Sequence, residues 1–166
     1  MLMTTALHKG WVTKQVDFSN AFTQAPMTQL VCMSSPAMFS DVAGIDSKDL
    51  CLELCKSLCG LREAPKSWAD FLAKGLEKAG FRPSDNDPGI FYGRGMALVV
   101  CVDDLLLFGP DEKGMNEVLK ELELDGFELK TEKEAKDVSC DFLGITVTQT
   151  EDKQGQKIVI ITTQRV

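Results

Sequence analysis

The chain has 166 residues, of which 44% are hydrophobic, and a net charge of −7 at pH 7. This length and apolar content support a single domain with a buried core, and no apolar run approaches the roughly 18 residues of a membrane span. Taken alone, the negative charge argues against an interface with nucleic-acid phosphates and favours a protein-binding or small-molecule domain.

The N-terminal segment indicates the cellular compartment, and the compartment indicates the state of the cysteines. Residues 1–10 lack the basic start and the long apolar core of a secretory signal, and they look like the end of an amphipathic helix. We therefore expect a soluble, intracellular protein without a membrane partner. In a reducing compartment, the six cysteines are expected to be small core residues rather than disulfides. His8 is the only histidine, so zinc is not expected.

Hydrophobic periodicity predicts several strands. Residues 12–18 alternate between apolar and polar side chains and include Asp17 next to their end, which predicts a half-buried strand running into a turn. Other strand-like segments lie near residues 30–34, 50–56, 89–93, 96–108 and 139–148. The last apolar run, 157–162, is expected to pair with roughly 142–149 across a polar turn at 151–155.

Two helices interrupt these strands. The first is predicted from Pro65 to Ala79, because proline suits a first helical turn and Gly80 supplies a stop. The second is predicted from about Asp111 to Leu124, with apolar residues recurring at helical spacing. Strands interleaved with two helices on one face of a sheet give an α+β sandwich.

Two adjacent carboxylates, Asp103 and Asp104, separate the apolar runs 96–100 and 105–108. Unpaired carboxylates at the edge of buried surface repel each other and lose hydration. Two explanations stay open at this point. A bound divalent cation would relieve both costs, whereas a two-residue hairpin turn would let both side chains face water.

Asp17 adds a third carboxylate. If its strand lies beside the hairpin of Asp103 and Asp104, three carboxylates converge at one end of a sheet. Oxygen-only ligands select Mg²⁺ or Mn²⁺ over zinc. Two such ions about 3.5–4 Å apart can activate a 3′-hydroxyl and neutralise a leaving pyrophosphate. The three carboxylates therefore indicate a nucleotidyl-transfer site.

A series of ordered sequence blocks points to a family. They are DFSNAF at 17–22, SLCGLREAPKSW at 57–68, AGFRPSDNDPGIF at 79–91, VDD at 102–104 and FLGI at 142–145. In this order and at roughly this spacing, they resemble the motifs of reverse transcriptases from copia-type LTR retrotransposons. The resemblance covers nearly the whole chain.

This resemblance implies the palm of a right-hand polymerase, an antiparallel sheet with two helices packed on one face and partial fingers. It implies that Asp17, Asp103 and Asp104 are the catalytic, metal-binding triad and that the Phe18 carbonyl is a further metal ligand. The implied cofactor is two Mg²⁺ ions, with Mn²⁺ as a possible substitute.

The resemblance also implies nucleotide-binding residues. The ring of Phe22 would lie under the sugar and leave no volume for a 2′-hydroxyl. Gly60, Leu61 and Arg62 would lie against nucleotide and template, and Lys130 would act near the departing pyrophosphate. The alternatives are a core aromatic for Phe22, a solvated charge for Arg62, and an exposed lysine in a charged loop for Lys130.

Two positions depart from the family pattern, which usually has Tyr at Cys59 and Gln at Glu63. Glu63 adds negative charge near the nucleotide phosphates, which weakens binding unless Arg62 or Lys66 offsets it. Residues 1–166 are expected to be one domain fragment, mostly palm, with the N-terminal fingers, thumb and RNase H absent. The rest of a Pol polyprotein or another subunit is then a possible partner, in a cytoplasmic particle or the nucleus.

Three functions therefore stand as hypotheses. The first is an RNA-directed DNA polymerase that adds deoxynucleotides (dNTPs) to a primer on an RNA or DNA template. The second is a non-catalytic or degenerate palm remnant acting as an interaction module. The third is an unrelated Mg²⁺-dependent nucleotidyl enzyme such as a cyclase, which would have no reason to carry the 60–68 string.

Overall fold

A computed structural model describes residues 2–36, 51–131, 138–142, 145–151 and 157–163. The helices in these ranges are α1 (Leu2–His8), α2 (Ala21–Gln24), α3 (Ala64–Lys78) and α4 (Glu112–Leu124). The strands are β1 (Val12–Phe18), β2 (Cys32–Ser34), β3 (Cys51–Glu53), β4 (Arg82–Pro83), β5 (Ile90–Gly93), β6 (Met96–Cys101), β7 (Asp104–Gly109), β8 (Leu129–Thr131), β9 (Val138–Phe142), β10 (Ile145–Glu151) and β11 (Lys157–Thr163). None of the helices described is long and apolar enough to cross a membrane.

The main sheet has six strands in the order β4-β5-β6-β7-β1-β8, and each neighbouring pair is antiparallel. Strand β7 lies in the interior of this sheet, where Leu105, Leu106 and Leu107 are at most 1% exposed. Burial on both faces explains why its sequence is a continuous apolar run rather than an alternation. The mixture of helices with an antiparallel sheet is the expected α+β class.

Two smaller sheets accompany the main one. Strands β9, β10 and β11 form an antiparallel sheet, and β10 pairs with β11 from Ile145↔Thr163 to Glu151↔Lys157. Strands β2 and β3 form a separate antiparallel pair. The chain divides into two compact units, one of residues 1–19 and 73–166 and the other of residues 20–72.

Most predicted elements are confirmed, with some corrections. Helices α3 and α4 lie within a residue of their predicted bounds, and α1 occupies the predicted N-terminal helix. The segments predicted near 96–108 and 139–148 are each two strands rather than one, β6 with β7 and β9 with β10. The predicted turn near 151–155 and the centre of the FLGI block lie largely outside the described residues. The short elements α2, β4 and β8 were not predicted, because segments of two to four residues carry too little periodicity.

Helix α4 packs on one face of the main sheet. Its N-cap Asp111 accepts a hydrogen bond from the Gly114 main-chain N–H at 2.8 Å, which satisfies one of the free donors of the first turn. Its apolar side is buried: Met115, Val118, Leu119 and Leu122. Lys14 on β1 donates to Asn116 Oδ1 at 2.7 Å.

Helix α1 packs on the opposite face of the same sheet. Its residue Ala6 is fully buried in a cluster with Ala97, Leu106 and Phe108. Leu106 and Phe108 alternate along β7 with Leu105 and Leu107. Since successive strand residues point to opposite faces, α1 and α4 cover different sides of β7.

The expectation of core cysteines is wrong. Of the cysteines described, Cys32, Cys51, Cys55 and Cys59 are exposed, and Cys101 is half-buried. The first four lie in or beside the small β2–β3 pair and the loop that follows it, where few residues are buried. Apolar character therefore did not determine burial for these small side chains.

A glycine in α3 permits a close aromatic contact. A Cβ at Gly75 would lie 2.6 Å from Cζ of Phe127, which is well inside van der Waals contact. Phe127 is 3% exposed and packs edge-to-face on Phe18, with ring centroids 6.0 Å apart. The absence of a side chain at Gly75 therefore lets α3 approach the aromatic pair beneath the end of β1.

We expect Gly75→Ala to destabilise the protein by about 1–3 kcal/mol through overpacking against Phe127, even though alanine favours a helix by about 1 kcal/mol. Denaturant unfolding measures this difference. The matched control is Gly114→Ala in α4, where the added Cβ meets only ordinary contacts of 3.5 Å or longer and should stabilise. Equal stabilisation by both changes would contradict the packing argument.

Candidate functional site

Four neighbouring strands of the main sheet present one residue each in a single cross-strand row. In the strand register, Cys101 on β6 is opposite Asp104 on β7, Asp104 is opposite Asp17 on β1, and Asp17 is opposite Lys130 on β8. Directly opposite residues share a face of the sheet. These four residues, Cys101, Asp104, Asp17 and Lys130, form one row across the sheet.

Asp103 lies beside this row, in the turn that joins β6 to β7. Its main-chain carbonyl accepts a hydrogen bond from the Phe18 N–H at 2.7 Å. The end of β1 is therefore held directly against the turn. All three aspartates predicted from the sequence belong to the same compact unit and the same end of the sheet.

The turn itself has an unusual backbone. Val102 adopts φ of 51°, in the left-handed region, where a β-branched side chain costs energy. Such strain persists only where the surroundings fix the backbone, and it occurs often at functional sites. The hydrogen bond from Phe18 to Asp103 supplies one such constraint.

The side chain of Phe18 anchors β1 from the other face of the sheet. It is 1% exposed and packs against Phe127, which is in turn crossed by α3 at Gly75. The next residue, Ser19, donates its main-chain N–H to the Glu128 carbonyl at 3.0 Å. Asp17 is therefore positioned by the contacts of the two residues that follow it, Phe18 and Ser19.

Gln15 is a candidate site residue that the sequence argument missed. Its side-chain amide Nε2 donates to Asp104 Oδ1 at 3.4 Å. Gln15 precedes Asp17 by two positions on β1, and this spacing puts both on one face. The alternation of residues 12–18 could have identified Gln15, because it places Gln15 and Asp17 on the same face of the strand.

The electrostatics of the turn reflect clustered negative charge. Partial burial of its carboxyl, followed by the charges of Asp17 and Asp104, raises the pKa of Asp103 above its ordinary value. Among the residues the structure describes, no three histidine, cysteine, aspartate or glutamate side chains are already gathered closely enough to hold a metal ion. The like charges are near enough to influence one another without forming a closed ligand cluster.

Lys130 lies on the edge strand β8, not in a loop, and is exposed. The alternative reading of Lys130 as an exposed lysine in a loop is therefore wrong about the loop and right about the exposure. Its position opposite Asp17 gives that carboxylate one like-charged and one oppositely charged neighbour across the strands. Opposite charges on directly paired residues stabilise a sheet modestly.

The other predicted nucleotide residues belong to the second unit, residues 20–72, and are described there by themselves. Phe22 lies half-buried in α2, which follows Asn20 in a left-handed conformation with φ of 51°. Thr23 donates its hydroxyl to the Asn20 carbonyl at 2.9 Å. These contacts define a short helical turn just after β1.

The segment 59–63 is mostly exposed, with Leu61 half-buried. Gly60 has φ of +95°, a conformation that favours glycine. Leu61 donates its main-chain N–H to the Leu58 carbonyl at 3.2 Å and accepts from Ala64 at 3.2 Å. Arg62 and the two departures, Cys59 and Glu63, are accessible to a ligand.

Comparison with known proteins identifies the family. A family model described as reverse transcriptase (RNA-dependent DNA polymerase) matches residues 1–161. The chain therefore belongs to the reverse-transcriptase family, and the predicted copia-type resemblance is confirmed by its relatives.

Several of these relatives are plant transposon polyproteins. The chain is 35% identical over 115 residues to the retrovirus-related Pol polyprotein from transposon RE2 of Arabidopsis thaliana, covering 67% of this chain and 8% of that protein. It is 34% identical over 126 residues to the corresponding polyprotein from transposon RE1, covering 74% and 8%. A third, from transposon TNT 1-94 of Nicotiana tabacum, is 30% identical over 112 residues. The chain thus corresponds to a small part of the RE1 and RE2 polyproteins.

The strained turn makes a stability prediction. Val102 is 46% exposed, so its removal loses little packing, whereas glycine tolerates the left-handed backbone. We expect Val102→Gly to stabilise the protein by about 1 kcal/mol, the balance of strain relief and glycine entropy. Chemical denaturation compares it with Val100→Gly, which changes a residue inside β6 that has no positive φ and should destabilise the protein. Comparable losses in both variants would contradict a strained Val102.

Proposed function

We propose that this chain carries the catalytic carboxylates of an RNA-directed DNA polymerase. It would extend a primer 3′-hydroxyl with deoxynucleotides on an RNA or DNA template. The observation that carries the proposal is the register of Asp17 opposite Asp104, with Asp103 in the adjoining turn, in a chain of the reverse-transcriptase family. The palm architecture and partial fingers belong to this proposal.

Asp17, Asp103 and Asp104, together with the Phe18 carbonyl, would hold two Mg²⁺ ions, with Mn²⁺ as a substitute. The donor set fits, because it consists of oxygen atoms alone. Partial burial, followed by the charges of Asp17 and Asp104, raises the pKa of Asp103, and a bound cation would favour the ionised carboxylate against both effects. When bound, the ions activate the attacking hydroxyl and neutralise the leaving pyrophosphate.

The neighbouring residues have separate roles in this proposal. Lys130, across from Asp17, would stabilise or protonate the leaving pyrophosphate. The ring of Phe22 would exclude a 2′-hydroxyl, and the exposed Arg62 would pair with phosphate. The backbone of Gly60 and Leu61 would lie against the nucleotide, where a missing side chain at Gly60 permits close approach.

The matched relatives are much longer proteins, and this chain covers 8% of the RE1 and RE2 polyproteins. Template, primer and deoxynucleotide binding by the whole polymerase are therefore proposed here only through the family. The net charge of −7 supports separate locations for the metal-binding carboxylates and for the basic residues that contact phosphate. This part of the molecule concentrates carboxylates, and basic contacts to phosphate would come from other parts of a Pol polyprotein or another subunit.

Primer extension tests the function. With Mg²⁺, a primed RNA template and four deoxynucleotides, the wild-type protein should extend the primer, and Asp103→Asn should lose this activity because a metal ligand is removed. The control, Asp70→Asn, makes the same change at an exposed position of α3 and should retain extension. Mg²⁺-dependent extension that persists in Asp103→Asn would contradict the assigned site. A folded wild type without any extension would favour the non-catalytic remnant.

Gln15 is expected to position Asp104 for the cation. Removing an outer hydrogen-bond partner of a metal ligand typically costs about 10–100-fold in metal affinity, and the long 3.4 Å hydrogen bond of Gln15 suggests the lower figure. We expect Gln15→Met, which keeps length but loses the donor, to weaken Mn²⁺ binding by about 10-fold. Titration calorimetry measures this affinity without any need for catalysis.

The control for Gln15 is Asn116→Ala. It removes the acceptor of the Lys14 hydrogen bond, which also ties β1 to its surroundings but on the face of α4. This variant keeps the net charge and should leave the Mn²⁺ affinity unchanged. If both variants weakened binding equally, the loss would come from general loosening of β1 and not from positioning of Asp104.

A further inference from the structure

Two cysteines lie as close neighbours on the small sheet of the second unit. In the β2–β3 register, Cys32 is opposite Glu53 and Ser34 is opposite Cys51. Because residues two apart on a strand share a face, Cys32 and Cys51 are diagonal neighbours on one face of the ladder. Both are exposed, so a small reagent can reach either sulfur.

The electrostatic surroundings of Cys32 agree with this register. A side-chain hydrogen bond with Cys51 is the largest cause that raises the pKa of Cys32 above its ordinary value, followed by burial and by the charges of Cys51 and Glu53. The small ladder therefore presents two accessible thiols as neighbours on one face.

We propose that Cys32 and Cys51 form a reversible disulfide when the protein meets a low-molecular-weight disulfide such as glutathione disulfide. The thiolate of one cysteine attacks a glutathione sulfur, forming a mixed disulfide and releasing one glutathione thiolate. The thiolate of the second cysteine then attacks the protein sulfur of that mixed disulfide and releases the second glutathione. In total, two protein thiols are oxidised and one glutathione disulfide is reduced to two glutathione molecules.

The geometry predicts a labile bond rather than a permanent one. Diagonal neighbours in an antiparallel ladder have Cα atoms about 7–8 Å apart, somewhat more than the roughly 4.4–6.8 Å of most disulfides. Closure therefore needs a small shift of the two strands, which a two-stranded pair with no further strand partner in the described residues allows. Strained and exposed disulfides are more easily reduced than structural ones.

The bond would join β2 to β3 and close a loop of about 20 residues, which restricts the unfolded chain. Oxidation should therefore raise the unfolding temperature, and reduction should reverse the increase. The raised pKa of Cys32 lowers the fraction of its thiolate at any given pH. Since the thiolate is the attacking species, bond formation should be faster at mildly alkaline pH.

Mass spectrometry of the full chain after incubation with glutathione disulfide tests this inference. The expected product has lost two hydrogen atoms without retaining glutathione, and its peptide map links Cys32 to Cys51. Replacing either cysteine by serine should stop the reaction at a retained glutathione adduct on the remaining one. The matched controls are Cys55→Ser and Cys59→Ser, which change other exposed thiols and should still give the internal bond.

Two results would overturn the inference. One is a wild-type protein that carries glutathione on Cys32 and Cys51 without linking them. The other is an internal bond that persists when Cys32 or Cys51 is replaced, or that disappears in the Cys55→Ser control. Because the inference rests on the β2–β3 register and not on the carboxylates, neither result bears on the proposed polymerase function.

Discussion

The repulsion among three carboxylates at one end of an apolar sheet is the constraint on which the rest of this structure depends. Asp17, Asp103 and Asp104 carry like charges, and partial burial weakens the screening that water would provide. Without other contacts, this repulsion would move the three carboxylates apart. The strand register of β1 and β7, together with the turn between β6 and β7, holds them at the same end of the sheet.

Several contacts outside the carboxylates oppose this repulsion. The Phe18 N–H binds the Asp103 carbonyl, and the Phe18 ring is fixed by Phe127 on the opposite face. The missing side chain of Gly75 gives Phe127 its place against α3. The proposed catalytic role needs rigid support of this kind, because small displacements of reacting groups lower a rate strongly. Packing on one face thus determines the geometry of charges on the other.

Sequence patterns predicted the parts of this arrangement that depend on long periodic signals. Helices α3 and α4 follow from their apolar spacing and stop signals, and the aspartates follow from their position between buried strands. The short strand β8 left no such signal, since three residues carry no measurable periodicity. Because β8 is a strand, Lys130 lies opposite Asp17 in the register and not in a loop.

Other features depended on tertiary contacts that a single sequence does not encode visibly. The left-handed backbone at Val102 runs against the preference of a β-branched residue, so local propensity would never suggest it. The cysteines were assigned to the core on composition, but β2 and β3 form a separate, exposed pair. Gln15 was within reach, because its spacing from Asp17 by two positions already put it on the face of the carboxylates.

The most direct test of the central claim is the unfolding temperature of wild type and Asp103→Asn, measured across pH with and without Mg²⁺. The folded-state pKa of Asp103 is raised, so the ionised carboxylate destabilises the metal-free fold at neutral pH. This cost disappears once the pH falls below the unfolded value of about 3.9. The account predicts that the metal-free variant is more stable than wild type at neutral pH, with the difference vanishing in acid.

The same unfolding temperatures are then measured with Mg²⁺ present. The cation should stabilise wild type by binding the folded state and stabilise the variant much less, because one ligand is gone. A metal-free variant that is no more stable than wild type at neutral pH would contradict the claim that repelling carboxylates converge at this turn. Equal stabilisation of both proteins by Mg²⁺ would contradict the claim that these carboxylates bind the cation.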